Sequence, residues 1–337
     1  MIQQAINNIV SGRHLTFDES SSVMDEIMTG SATPSQFGAF VTGLRLKGET
    51  SEEIAGMASV MQEKALTVEA ESTIVDTCGT GGDGSQTINI STIAAFVTVG
   101  AGLKVAKHGN RAITSSCGSA DVLEAAGVKI DLGPEGVKQC INEVGMGFMF
   151  APIFHPAMRF AGPLRREIGI RTVFNILGPL TNPARAKNQV LGIADPSLGL
   201  KMAEVLKRLG CLHALIVHGN DGLDEISISG PSQIWELKSG EIYEYTIAPE
   251  DFGIQQASSD EIRGGVAEEN VEVMHKVLSG EHGPKRDIVL LNAAAAITAG
   301  NQADSLAEGL IIAQESIDSG RASSKLNALI DLSQQLK

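Results

Sequence analysis

Residues 76–92 read Asp-Thr-Cys-Gly-Thr-Gly-Gly-Asp-Gly-Ser-Gln-Thr-Ile-Asn-Ile-Ser-Thr. Gly79, Gly81, Gly82 and Gly84 come first; Ser85, Thr87, Asn89, Ser91 and Thr92 follow, with Ile90 among them. Glycines let a backbone adopt positive φ and approach a ligand closely. A helix N-terminus adds unpaired N–H groups and the positive end of a dipole, which together make an anion site, most often for phosphate. The stretch is not the P-loop pattern, because no Gly-Lys-Ser/Thr closes it, and its glycine spacing is not that of a dinucleotide loop. Asp83 repels an anion unless its side chain turns away or a divalent cation intervenes. On this loop alone, a turn that merely joins strand to helix stands as the alternative.

A second polar stretch follows, Lys107-His108-Gly109-Asn110-Arg111 and then Ala112, Ile113, Thr114, Ser115 and Ser119. If it lies beyond the carboxyl end of a parallel strand, Lys107 meets the same anion as the first loop, and Ser119 is an N-cap or a phosphate donor. Asp224 and Glu225, within Gly222-Leu-Asp-Glu-Ile-Ser227, form an acidic pair that can converge on Mg²⁺, an ion that takes one or two carboxylates together with waters and phosphates. Arg159, Arg165, Arg166 and Arg171 crowd one segment of an acidic chain. Arg165 is a candidate fork for a carboxylate or phosphate, against the commoner fate of a salt bridge. His108 is within reach of a substrate, whereas His155 reads as structural. No Ser-His-Asp, Cys-His or zinc-ligand pattern is present, and no general base is assigned. Together these parts indicate a polyphosphate ester and a second anionic substrate, in phosphoribosyl or phosphoryl transfer.

The elements that position these residues follow from periodicity. The first 70 residues are helical: Thr33-Pro34-Ser35-Gln36 and Thr50-Ser51-Glu52-Glu53 are capping boxes ahead of apolar residues at helical spacing. After residue 72, short apolar runs at 74–77, 103–106, 147–151, 189–194 and 213–217 alternate with helical stretches near 91–100, 119–126, 135–144 and 197–209. That alternation predicts βαβ units and a mainly parallel sheet. Residues 235–243 read as a hairpin about Ser239-Gly240, and the last 70 return to helix. The expected fold is α/β: a small N-terminal helical domain, 1–70, completed by about 155–182, and a larger domain, 73–337, whose central sheet is flanked by helices.

The chain has 337 residues, 43% of them hydrophobic, and a net charge of −14, enough for a large core and without the basic stripe of a nucleic-acid binder. Cys78, Cys117, Cys140 and Cys211 are widely spaced and read as reduced packing thiols of a cytoplasmic protein. The N-terminus is no signal peptide, and no apolar run is long enough to span a membrane.

Residues 76–92 and 107–127, the run 155–184 containing RREIGIRTVFNILGPLTNPA, and GLDEIS at 222–227 closely resemble the anthranilate phosphoribosyltransferases over most of the chain. The glycine loop is shared with pyrimidine nucleoside phosphorylases; the arginine-rich run and GLDEIS are more specific. The resemblance implies transfer of phosphoribose from 5-phospho-α-D-ribose 1-diphosphate (PRPP) to the amine of anthranilate, in tryptophan biosynthesis. It implies two Mg²⁺ ions, one on Ser91 and Glu225 and the other on Asp224 and Glu225. It places Gly79, Gly82, Asp83, Thr87, Asn89, Ile90, Ser91, Thr92, residues 107–115 and Ser119 at PRPP, and Gly79, Asn110 and Arg165 at anthranilate. It implies a homodimer joined through the helical domains; association with anthranilate synthase has no support in the sequence. Pro163-Leu164 departs from the family pattern just before Arg165. The alternatives are a pyrimidine nucleoside phosphorylase, which needs no Mg²⁺ pair, and a non-catalytic nucleotide- or nucleic-acid-binding relative.

Overall fold

The computed structural model describes residues 1–70, 73–112 and 116–336. Four helices come first: α1 (Ile2–Val10), α2 (Phe17–Met28), α3 (Pro34–Lys47) and α4 (Ser51–Glu63). Thr33 with Gln36 and Thr50 with Glu53 cap α3 and α4 reciprocally as expected, and Thr16 with Glu19 does the same for α2.

The alternating part then runs β1 (Ile74–Gly79), α5 (Ile90–Gly100), β2 (Lys104–Gly109), α6 (Ser119–Ala125), α7 (Pro134–Glu143), β3 (Met146–Phe150), α8 (Ala151–Phe154), α9 (Met158–Ile168), α10 (Phe174–Leu177), β4 (Asn188–Gly192), α11 (Gly199–Arg208) and β5 (His213–Gly219). A hairpin of β6 (Ser232–Lys238) and β7 (Glu241–Ile247) follows, then α12 (Ala267–Leu278), α13 (Pro284–Ala299), α14 (Leu306–Asp318) and α15 (Arg321–Gln335). The strands form one sheet in the order β3-β2-β1-β4-β5-β6-β7. β1 to β5 pair in parallel, whereas β5–β6 and β6–β7 are antiparallel. Ser239 and Gly240 both take positive φ, +53° and +82°, as a two-residue hairpin turn requires.

The two faces of the sheet bury different partners. Val75, Val105 and Val190 join α5, α13 and α15 in one apolar cluster. Leu191, Ile193, Ala214 and Ile216 point the other way and join α11, α1–α4 and residues of the 158–180 segment in a second. Alternation along β4 thus ties the helical layer to the sheet. α9 continues through Pro163 to Ile168 and ends at Gly169, φ +69°, so the proline does not break it.

Candidate active site

The carboxyl ends of β1, β2 and β5 converge because parallel strands all point the same way. β1 ends at Gly79, where the glycine loop begins. A Cβ on Gly79 would overlap the Asp224 carboxylate, which approaches from the β5–β6 connection. The Gly81 N–H donates to Asp224 Oδ2 at 2.7 Å, and the Ser91 N–H donates to Glu225. Two acids that are adjacent in the chain are thereby aimed at opposite ends of the same loop.

Burial, and then the charge of Asp83, push Asp224 up to about 7; burial, and then the charge of Asp224, push Glu225 to about 8. Such a pair ionises readily only beside a cation. Lys107, 2% exposed, offsets part of this charge, but its Nζ donates to the Thr77 carbonyl and, at 3.1 Å, to Ser91 Oγ. Two half-buried carboxylates and a hydroxyl fit Mg²⁺, a hard cation that shares its shell with water and phosphate. Among the described residues, no three His, Cys, Asp or Glu side chains form a preformed metal cage, so an ion here would take oxygens from a ligand as well.

The loop between these contacts is braced from outside. Asp83 accepts the Ser85 N–H at 3.2 Å, which uses one of its oxygens locally. Gln86 holds φ +52°, a conformation costly for a side-chain-bearing residue; Gly264 N–H to Gln86 O (2.9 Å), Arg263 to Gln86 Oε1 (2.9 Å) and a bridge between Thr87 and Arg263 fix it. Ile90 and Thr92 are buried. Arg171 donates to the carbonyls of Gly82 (3.1 Å) and Gly81 (3.2 Å).

On the second stretch, His108 and Gly109 end β2 and Asn110, Arg111 and Ala112 follow it; Ile113, Thr114 and Ser115 lie outside the described residues. Ser119 is the first residue of α6 and not its N-cap, a place taken by Gly118, because Asp121 closes that turn by accepting the Gly118 N–H at 2.9 Å. Ser119 Oγ lies 3.4 Å from the Asn110 carbonyl. The Arg111 guanidinium is engaged by Asp121 and Glu124 at 3.1 and 2.7 Å, which leaves its backbone as the part that could meet a ligand. His108 donates to the Gly178 carbonyl, and burial keeps it neutral with a pKa near 3; the His155 ring lies 4.9 Å away, equally neutral. Cys78, beside Asp76 and Gln189, has its thiol pushed well up by burial, consistent with a packing residue.

Arg165, on α9, is half-buried, lies 5.4 Å over the Phe174 ring and has its pKa lowered by burial. Among the described residues it pairs with no carboxylate. It is a guanidinium that has lost water and, among the described residues, gained an aromatic face but no carboxylate.

Two family models cover the chain: the α/β domain of a glycosyl transferase family matches residues 71–323 and its helical bundle domain residues 3–65. An anthranilate phosphoribosyltransferase of Chloroflexus aurantiacus is 59% identical over 98% of both chains. The chain belongs to the anthranilate phosphoribosyltransferase family. The solved family member from Thermus thermophilus superposes with a TM-score of 0.93 at 42% identity, covering 98% of this chain and 99% of its own. A Saccharomyces cerevisiae member, 28% identical with a TM-score of 0.90 over 99% and 98% of the two chains, was solved in complex with PRPP and Mg; the same protein was also solved with 4-fluoroanthranilate.

Several contributors to this site carry no signature in the sequence. Arg171 was one arginine among four, and nothing in its spacing selects it for the loop. Asn292 on α13 accepts the Ile226 N–H and donates to the Ile226 carbonyl, both at 2.9 Å, and so fixes the residue after Glu225. Its only local sign is a lone amide in the apolar run 288–299.

Proposed function

We propose that this chain transfers the phosphoribosyl group of PRPP to the amine of anthranilate, giving N-(5-phosphoribosyl)anthranilate and diphosphate. The observation that carries the acceptor's identity is Arg165, a half-buried guanidinium without a carboxylate partner among the described residues; a planar carboxylate supplies the missing bidentate partner. In this reading Asn110 and Gly79 also border anthranilate. The glycine loop, the first turn of α5, Lys107, residues 108–115 and Ser119 hold PRPP.

Ser91, Asp224 and Glu225 would hold Mg²⁺, in two ions sharing Glu225, and the metal's chemistry is to offset charge on the diphosphate. The N–H groups of the glycine loop and α5 meet the phosphates, and Lys107 adds a cation that burial keeps unsolvated. Neutral His108 can accept a hydrogen bond through Nε2, which has no partner among the described residues. As the C1–oxygen bond to diphosphate breaks, the amine nitrogen held in line forms the C1–nitrogen bond with inversion, and its proton leaves to solvent or diphosphate. Positioning and exclusion of water account for much of the rate. Residues 1–70 with about 155–182 act as one body that closes on the remainder of 73–337, bringing Arg165 toward the glycine loop; Arg171 already reaches the loop carbonyls. The unit is a homodimer joined through its helical parts, where Val10 and Leu46 stand 69% and 83% exposed on α1 and α3.

Arg165→Ala tests the acceptor assignment. Loss of a bidentate charge-assisted pair is expected to raise KM for anthranilate about 100-fold, with KM for PRPP nearly constant. Equal increases in both would remove Arg165 from the carboxylate.

A further inference from the structure

Asn89 begins α5, yet its side chain makes no capping hydrogen bond, the usual task of an asparagine at that position. Its amide points sideways instead. Asn89 Nδ2 donates to the Cys117 carbonyl at 3.1 Å, and Asn89 Oδ1 accepts from Asn270 Nδ2 at 3.0 Å. Asn270 lies on α12, 2% exposed, 181 residues further along the chain. Its own oxygen accepts the Gly265 N–H at 2.9 Å.

The direction of this relay is fixed at both ends. A backbone N–H can only donate, so Asn270 must turn its oxygen to Gly265 and its amino group to Asn89. A carbonyl can only accept, so Asn89 must turn its amino group to Cys117. Neither amide can flip without placing two donors or two acceptors face to face. Asn89 is therefore left with one further N–H, a donor of the kind a phosphate needs, while its oxygen is turned to Asn270. The same relay ties the glycine loop to the loop after β2 through Cys117.

We infer that Asn270 is a positioning residue for the PRPP site: it locks the Asn89 amide with its donor toward the ligand and holds the two loops at a fixed separation. The inference rests on the reading that Asn89 lines the PRPP site. Asn270→Asp keeps the acceptor for Gly265 and removes the donor to Asn89. Asn89 then gains by turning its amino group to the new carboxylate, and its oxygen turns toward Cys117 or toward the ligand.

The test is steady-state kinetics of the full chain with PRPP, Mg²⁺ and anthranilate. Asn270→Asp is expected to raise KM for PRPP about tenfold, the scale of one lost hydrogen bond to a charged group, with KM for anthranilate and kcat within about twofold of wild type. In an Asn89→Ala background the same substitution is expected to change KM for PRPP less than about twofold, because coupled residues are not additive. Should the buried carboxylate prevent folding, as read by circular dichroism, Asn270→Ala removes the donor to Asn89 without adding charge, together with the acceptor for the Gly265 N–H, and carries the same expectations. Parallel increases in both KM values, or an undiminished effect in the Asn89→Ala background, overturn the inference while leaving the enzyme assignment standing. Wild-type protein that is folded but inert overturns both.

Discussion

Replacing Asn292 by leucine isolates what holds the acidic pair in place. Asn292 is 2% exposed and Ile226 fully buried, and the two hydrogen bonds between them, both 2.9 Å, satisfy the Ile226 N–H and carbonyl. Leucine keeps the branching and heavy-atom count of asparagine and leaves no cavity, so the change falls chiefly on those two backbone groups. Each buried group left without a partner costs about 1–3 kcal/mol; after the apolar gain of leucine, a loss of about 2–5 kcal/mol is expected. The third bond, Asn292 to the Ile288 carbonyl at 2.9 Å, adds little, because a helical carbonyl one turn back already has a backbone donor. With an unfolding entropy near 2.1 cal/mol/K per residue, 337 residues convert that loss to a fall in Tm of about 3–7 °C. The Ile226 peptide can recover partners only by shifting, and Glu225 shifts with it. Differential scanning calorimetry reads the first effect and a Mg²⁺ titration of the initial rate the second: half-saturation should need about tenfold more Mg²⁺, the scale of one weakened charged contact, with KM for anthranilate unchanged. A lowered Tm with an unmoved Mg²⁺ midpoint would refute the claim that Asn292 acts on the acidic pair.

Two further outcomes follow from the same geometry. The raised values of Asp224 and Glu225, about 7 and 8, mean that the folded chain binds protons more tightly than the unfolded one, so their cost is absent below the ordinary carboxylate range and grows as pH rises toward 8. Without Mg²⁺, Tm should fall over that window, and the stabilisation given by Mg²⁺ with PRPP should grow; a Mg²⁺ response independent of pH, followed by thermal unfolding, would contradict the assignment. Arg171→Ala removes two hydrogen bonds to the glycine loop; KM for PRPP should rise about fivefold with Tm nearly constant, since the side chain is exposed. An unchanged KM would show that the loop is held by Gly264 and Arg263 alone.

Much of this arrangement was legible in the sequence because it is local. Capping boxes, alternating apolar runs and the Ser239-Gly240 turn each act within a few residues, and each produced the element expected. The glycine loop was legible as the link from strand to helix for the same reason. What the sequence could not place was contact at long separation. Gly81 meets Asp224 only because β1 and β5 flank β4 in one parallel sheet, and no pattern at 81 or 224 encodes that order. Ser119 reads as a cap from its type, yet Asp121 two residues on closes the turn and moves the cap to Gly118. Arg171, Asn270 and Asn292 act through side chains on elements remote from the motifs, and an asparagine in an apolar helix announces only that it has a partner. Arg165 was legible as a candidate anion fork from its type; its lack of an acidic partner among the described residues needed the packing of α9 against Phe174.

The most direct measurement follows anthranilate fluorescence after mixing folded protein with PRPP and Mg²⁺. The predicted result is a Mg²⁺-dependent loss of fluorescence with one diphosphate released for each anthranilate consumed. Folded protein that leaves anthranilate untouched, or that instead cleaves a pyrimidine nucleoside with orthophosphate, would contradict it.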